Sequence, residues 1–573
     1  MQLSQNAIQV LEKRYLAKDR TGKVIETPEQ LFERVARTIS GAERDESMSE
    51  YEEKFYKIMT NLEFLPNTPT LINAGRAIGQ LSACFVLNID DSMESIFTTL
   101  RDAALVQKSG GGCGYSFSNV RPSGDLVKST NKCAGGPIAF IRIFDKAMEA
   151  IEQGGVRHGA NLGTLRIDHP DIVSFIECKQ KEGDIPNFNL SVGITDEFMS
   201  AVKSDRMHQL INPHTGAVVK EIKAKKLFDL IVHHAWANGE PGILFLDEMN
   251  RHNMIPNVGA IESTNPCGEL PLLAYESCNL GSVNLGRFVK AEKVDYDRLE
   301  YVVRLATRFL DDVIDMNKYP ISQIETKTKM TRKIGLGIMG FADMLIKLNI
   351  QYDTEEAVRY ASDVMRKIRQ WSIDESSKLA EVRGVFPAWR GSRWQTDEGV
   401  RLRNAGLTAI APTGTLSIIA NASSGCEPYY SKTVKKHVIN TILEEEVEYA
   451  KSDCFITAKE ISPEWHVKIQ AALQAQTCSA VSKTINFPND ATEDDIKRSI
   501  LLAYKLKCKG IALYRDGSRE KQVLYSGDAK KDVVPTKEKA IEKCPECGAD
   551  VVNESGCVKC SNAGCGWSAC KIS

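Results

Sequence analysis

The chain has 573 residues, 42% hydrophobic and 26% charged, with a formal net charge of −2. That length exceeds one ordinary core, so one large domain with smaller pieces is expected. Near-neutrality gives no electrostatic basis for binding nucleic acid or a membrane surface. No run of about 18 apolar residues marks a transmembrane helix. The start, Met1-Gln2-Leu3-Ser4-Gln5-Asn6, reads as neither signal nor transit peptide, so a cytoplasmic location is expected. The 16 cysteines then sit in a reducing compartment and read as metal ligands or redox thiols, not as a disulfide framework.

Residues 1 to 65 read as a helical region. Ala7-Ile8, Val10-Leu11 and Tyr15-Leu16 give one helical stripe. Thr27-Pro28-Glu29-Gln30 is a helix start, with Thr27 as N-cap and Pro28 at the first position. Asn67 to Gly75 is turn-rich and hydroxyl-rich. Leu81 to Leu87 is a buried strand holding Cys84, which by itself reads as core packing. Ser109-Gly110-Gly111-Gly112-Cys113-Gly114 demands close backbone approach or unusual dihedrals, at a ligand or in a plain loop. Gly136 to Gln153 is an amphipathic helix, and Gly154 to Gly163 a flexible basic loop. Between 164 and 260, strand-like and helical stretches alternate, with a strand at Asn187–Val192 and a helix at Ala224–Asn238, which favours an α/β architecture.

Asn265-Pro266-Cys267-Gly268-Glu269 alternates a carboxamide, a thiol and a carboxylate with Pro and Gly, and Cys278 follows. If the segment is extended, residues 265, 267 and 269 face one way and look into one pocket. Pro and Gly suit an active-site loop better than a central strand. Beyond Cys278, helices dominate from Tyr296 to about Val382, and Gly335 to Phe341 reads as a glycine-spaced turn into a helix. Leu407–Ile410 is a strand running into Ala411-Pro412-Thr413-Gly414-Thr415-Leu416-Ser417, a hydroxyl-rich turn and helix start. It reads as a phosphate site or an ordinary cap, and without a Walker lysine it is not an ATPase loop. Glu444 to Glu448 reads as a solvated helix face, and Lys507–Ser518 as a strand ending in a turn. Residues 521–543 form a lysine-rich linker. The tail, 544–573, holds Cys544, Cys547, Cys557, Cys560, Cys565 and Cys570. Its two Cys-x2-Cys knuckles read as a zinc site, because four thiolates satisfy tetrahedral zinc and so short a fold needs a staple. Six thiols exceed four ligands, so a redox role can coexist. The favoured zinc set is Cys544, Cys547, Cys560 and Cys565, leaving Cys557 and Cys570 as a redox shuttle. The rival set takes Cys557 and leaves Cys565 and Cys570.

Asn-Pro-Cys-Gly-Glu followed by Cys-Asn-Leu-Gly-Ser resembles the catalytic loop of ribonucleotide reductases, most of all the adenosylcobalamin-dependent class II enzymes, and the resemblance covers nearly the whole chain. It implies a ten-stranded α/β barrel of the ribonucleotide reductase/glycyl radical type over 66–520, with the Cys267 loop at its centre, a helical N-terminal region and a zinc-ribbon-like tail. Composition and periodicity alone imply only a large α/β protein. By resemblance Cys267 carries the thiyl radical, Glu269 is general base, Asn265 holds the sugar hydroxyls, and Cys84 and Cys278 are the reducing pair. Thr70, Ala83, Gly112 and Pro412, Thr413, Gly414, Thr415, Leu416 would bind a ribonucleotide di- or triphosphate. Asp91, Ser92 and Arg121 would bind a deoxynucleotide effector, and the 154–163 loop would pass its identity on. The implied cofactors are adenosylcobalamin and a structural zinc, the implied reductant thioredoxin or a similar donor, and the state a monomer or homodimer. Reductases fed by a radical-generating subunit carry two adjacent tyrosines where this chain has Leu513-Tyr514. The competing readings are such a partner-dependent subunit, a glycyl-radical enzyme, for which the C-terminal region lacks the radical loop, and a non-catalytic nucleotide-binding zinc-ribbon protein.

Overall fold

The structure, a computed structural model, describes residues 1–127, 131–151, 160–181, 183–438, 441–518, 524–526, 547, 549, 551–554, 557–560, 562, 565 and 568–570, with the side chains of 434–446, 524–526 and the three tail strands left aside. Residues Met1–Leu524 form one compact unit and Tyr525–Ser573 another.

The first unit opens with helices α1 (Gln5–Arg14), α2 (Pro28–Ser40) and α3 (Asp45–Thr60). The Thr27 side chain accepts the Gln30 N–H and the Gln30 side chain answers the Thr27 N–H, the reciprocal cap expected from this spacing. Phe32, Val35 and Ile39 of α2 and Phe55 and Met59 of α3 are fully buried in one large core.

The rest winds into a sheet of ten strands. They are β1 (Phe64–Pro66), β2 (Cys84–Leu87), β3 (Gly112–Ser116), β4 (Asn161–Arg166), β5 (Phe188–Ile194), β6 (Gly242–Phe245), β7 (Ser277–Asn284), β8 (Ile334–Met339), β9 (Thr484–Phe487) and β10 (Gly510–Arg515). β2 to β6 run parallel to one another in chain order. β7 and β8 are parallel, as are β9 and β10. Two antiparallel seams join the halves, β2 to β7 and β6 to β10. The short extended segment at 408–410 closes the ring, with Thr408 bridging Leu336 of β8 and Ile410 bridging Val481 just before β9. The result is two parallel five-stranded halves, antiparallel to each other, with β1 added on the β7 edge. Helices cover the outside, among them α4 (Met93–Lys108), α5 (Gly136–Glu149), α6 (Ala224–Asn238), α7 (Tyr296–Met316) and α8 (Glu355–Arg383), as parallel strands buried on both faces require.

Two expectations are corrected. Ile334–Met339 is a strand, not a turn. Gly335 and Gly337 leave room there for Leu280 and for the Ala409 carbonyl, which an added Cβ would meet at 2.4 and 2.2 Å. Glu444–Glu446 belong to a strand, Thr441–Glu446, paired antiparallel with Thr433–Val438 in register Lys435↔Glu444. The β-branched residues of both stretches favour that pairing over a helix.

In the second unit Val551–Glu554, Cys557–Cys560 and Ser568–Cys570 form an antiparallel sheet in which Cys557 faces Cys570 in register. Cys544 and the side chains of Cys557, Cys560 and Cys570 lie outside the description, and among the described residues no group of three or more metal-ligand side chains occurs. Among the described helices none is long and apolar enough to cross a membrane.

A two-stranded hairpin, Ser263–Thr264 with Pro271–Leu272, runs inside the ring. Gly114 of β3 permits it: a Cβ there would fall 1.7 Å from the Thr264 carbonyl oxygen. Gly114→Ala is therefore expected to cost at least the ~1–3 kcal/mol of an overpacked core. An unfolding free energy from urea titration within about 0.5 kcal/mol of the parent would contradict this account of the barrel interior.

Candidate active site

Asn265-Pro266-Cys267-Gly268 forms the tip of this hairpin. The Gly268 N–H donates to the Asn265 carbonyl at 3.0 Å, and Gly268 takes φ +82°. Asn at the first position, Pro at the second and Gly at the fourth are what a type I turn favours. The segment is thus a turn, not an extended strand, and the side chains of Asn265, Cys267 and Glu269 do not share one face. Asn265 and Glu269 are buried and meet Cys84: Asn265 Nδ2 donates to Cys84 Sγ at 3.1 Å, and the Cys84 thiol lies 3.9 Å from Glu269 Oε1. Cys267 is exposed instead to a cavity of about 420 Å³, shared with Thr264, Pro266 and Gly268 of the loop and with Leu513 and Tyr514 of β10.

The hairpin is fixed on every side. Asn265 Oδ1 accepts the Leu270 N–H at 2.9 Å. The Thr164 and Ser263 hydroxyls meet at 2.9 Å, and Asn189 Nδ2 donates to the Pro266 carbonyl at 3.3 Å. From the other half-barrel, the Ala480 N–H donates to the Glu269 carbonyl at 2.8 Å.

Cys84 and Cys278 are register partners across the β2–β7 seam. Residues directly opposite in an antiparallel pair have Cα atoms about 4.5–5.5 Å apart, within the roughly 4.4–6.8 Å a disulfide spans. Both sit in one small apolar cluster with Leu270 and Leu272 of the hairpin. Burial pushes the Cys278 thiol well up; the Lys333 ammonium opposes this, and the Glu276 and Glu269 carboxylates add to it. Lys333 Nζ pairs with Glu276 Oε2 at 2.7 Å, both buried. Cys113, in β3, is fully buried and its thiol is pushed up to about 12 by desolvation, as suits an inert core cysteine.

The other expected residues fall into two groups. The Ala83 carbonyl accepts the Gly112 N–H at 2.9 Å, and a Cβ on Gly112 would be 3.2 Å from the Pro266 ring, so both positions border the hairpin. The Thr70 hydroxyl is buried and engaged locally, 2.6 Å from Asn67 Oδ1 and 2.9 Å from the Leu81 carbonyl. Pro412 to Leu416 lead into the short helix α9 (Gly414–Ala420), with Thr413 left-handed at φ +53° and its hydroxyl accepting the Gly425 N–H at 2.7 Å. Away from the hairpin, Arg121 Nε holds Asp91 Oδ2 at 2.9 Å, and the Ser92 hydroxyl caps α4 by accepting from Ser95. Most of the 154–163 loop lies outside the described residues.

The roles of three residues escaped the sequence reading. Fully buried Tyr15 has its hydroxyl 2.7 Å from Thr415 Oγ1 and 2.9 Å from Thr68 Oγ1, tying α1 to the Pro412 turn. Glu427 and Lys483 line the Cys267 cavity. They are 56 positions apart and carry no local pattern.

The family model for the ribonucleotide reductase barrel domain matches residues 82–401 and 396–514, and the one for the ribonucleotide reductase all-alpha domain matches residues 1–79. The chain belongs to the ribonucleotide reductase family. It is 44% identical to the vitamin B12-dependent ribonucleoside-diphosphate reductase of Thermoplasma acidophilum, over 95% of this chain and 83% of that protein. It is 45% identical to a protein of the same description from Mycobacterium tuberculosis, over 92% and 82%. With the ribonucleoside-diphosphate reductase subunit alpha of Chlamydia muridarum it shares 30% identity over 75% of this chain and 48% of that protein. The ring of two antiparallel half-barrels with a hairpin inside is this family's barrel domain.

The thiols should separate by exposure. With iodoacetamide at pH 7.5, the native protein is expected to be alkylated at Cys267 well before Cys113 or Cys278, which react fully only after unfolding; peptide mass spectrometry reads the order. Burial also raises Cys178, Cys426 and Cys508 to about 12 from the ordinary 9.0. These thiols are neutral when folded and ionise more readily when unfolded. Their contribution is complete below pH about 9 and declines as pH rises toward 12, so unfolding midpoints should fall over that window.

Proposed function

We propose that this chain reduces ribonucleoside diphosphates to 2′-deoxyribonucleoside diphosphates with adenosylcobalamin as radical source. One observation carries the reading: the turn at 265–268 exposes Cys267 to a cavity on one side while Asn265 and Glu269 stand against Cys84 on the other. The diphosphate and the cofactor are taken from the relatives' descriptions. A cavity of about 420 Å³ falls in the range of small-ligand sites and suits a nucleoside, not a whole corrin. Gln470 also lines it, and its Oε1 has no hydrogen-bond partner among the described residues. Residues around Cys267 thus fit the nucleoside part of the cofactor. When bound, adenosylcobalamin supplies a one-electron hydrogen acceptor by homolysis of its cobalt–carbon bond.

In this reading the Cys267 thiyl removes the 3′-hydrogen of the ribose and later returns it. Glu269 takes the 3′-hydroxyl proton as general base, and Asn265 orients the sugar hydroxyls. Cys84 and Cys278 give two electrons and two protons; the 2′-oxygen leaves as water and the two sulfurs end as a disulfide. Cys557 and Cys570 would re-reduce it by exchange, and thioredoxin or a similar dithiol would reset them. Pro412 to Leu416, with Thr70, Ala83 and Gly112, would hold the substrate, and Asp91, Ser92 and Arg121 a deoxynucleotide effector. Zinc on Cys544, Cys547, Cys560 and Cys565, a division at 1–65, 66–520, 521–543 and 544–573, and a cytoplasmic monomer or homodimer complete the proposal. Leu513-Tyr514 in place of two tyrosines favours a radical made in place over one delivered by another subunit.

Anaerobic turnover of CDP with dithiothreitol should need adenosylcobalamin and no other protein. Cys267→Ala should abolish it, and Glu269→Gln should lower kcat about 10²–10⁴-fold. Absence of dCDP with the cofactor present would refute the self-sufficient reading.

A further inference from the structure

The cavity beside Cys267 holds a polar device that the radical chemistry above does not use. The Lys483 side chain is completely buried, and its Nζ lies 2.5 Å from Glu427 Oε2. A buried ammonium requires such a partner. Glu427 Oε1 accepts the Thr484 N–H at 2.6 Å, so both carboxylate oxygens are fixed in place. Yet the Glu427 side chain remains 24% exposed, and both residues line the cavity. An ionised carboxylate has about four acceptor sites, two per oxygen, so each oxygen retains capacity for another donor. The same cavity is lined by apolar Ile511 and Leu513 and by Tyr430, and also by polar Asn189, Gln470 and Asn486. A carboxylate fixed by two donors yet still partly exposed, in a cavity with both apolar and polar walls, suits a flat base bearing a hydroxylated sugar, because hydroxyl–carboxylate bonds are short and strong.

We propose that Glu427 recognises the ribose hydroxyls of the nucleoside part of the cofactor, and that Lys483 is the positioning residue that holds the carboxylate toward the cavity. This rests on the cofactor reading above. It assigns the 420 Å³ cavity to that nucleoside and the opposite side of the hairpin, with Cys84 and Cys278, to the ribonucleotide substrate.

The test is calorimetric titration of the full chain, without cobalamin, using 5′-deoxyadenosine and 2′,5′-dideoxyadenosine. The wild type is expected to bind the first about 10–100-fold more tightly, the worth of a hydrogen bond to a charged group. Glu427→Gln should weaken 5′-deoxyadenosine by a similar factor and erase the discrimination. CDP should not compete with 5′-deoxyadenosine, and its affinity for the variant should be unchanged. Lys483→Met should weaken 5′-deoxyadenosine while leaving CDP binding intact. Equal affinity of the wild type for the two nucleosides, no measurable binding of either, or displacement by CDP would each overturn the proposal, and the wild-type arms decide it even where a variant fails to fold. Failure of the class II reading would appear separately, as turnover that ignores adenosylcobalamin.

Discussion

A loop that runs through the middle of a barrel must have its backbone polar groups satisfied without water, and this constraint organises the molecule. Buried N–H and C=O groups left unpaired are costly, so loops ordinarily stay at the surface. Here the hairpin from Ser263 to Leu272 draws its partners from its own turn, from Asn189 on β5 and from Ala480 beside β9. Each half-barrel therefore grips it. Gly114 lets its backbone lie against the wall where any side chain would collide. The hairpin in turn fills a ring that would otherwise be hollow, so barrel and loop specify each other.

The same geometry divides the interior. A turn reverses side-chain direction over three residues, whereas a strand would keep 265, 267 and 269 together. Cys267 thereby acquires a cavity apart from Asn265, Glu269 and the thiol pair. Under the proposed function, a group that oxidises Cys267 would occupy one side of the turn and the sugar the other. The register of β2 on β7 matters equally, since a slip of one residue would turn Cys84 or Cys278 to the opposite face of the sheet.

Much of this was legible in the residues. The cap at Thr27, the helix over 224–238, the strand holding Cys84 and the strand after Gly510 follow from local pattern alone. Other elements were hidden for physical reasons. Ile334–Met339 looks like a turn because its glycines serve packing against Leu280 and Ala409, which lie far off in sequence. The strand at 441–446 carries three glutamates that mimic a solvated helix. The turn at Cys267 is signalled by Pro266 and Gly268, but alternation of functional residues at 265, 267 and 269 points the other way. Tyr15, Glu427 and Lys483 have no motif around them; only the tertiary fold brings them to the Pro412 turn and to the cavity.

Tyr15 shows how the helical region and the barrel depend on each other. Its hydroxyl bridges Thr415 at the start of α9 and Thr68. Arg76 reaches back to the Tyr15 carbonyl at 3.0 Å and to Glu26 at 3.1 Å, and Glu26 also binds Arg34 of α2. A chain of hydrogen bonds thus runs from α2 through Glu26, Arg76 and Tyr15 to the turn proposed to hold the substrate phosphates. The all-alpha segment is then more than a cover for one end of the barrel. It fixes a hydroxyl-rich turn whose helix is too short to be rigid by itself, and under the proposed function the position of that turn would set where the ribose stands relative to Glu269 and Cys84.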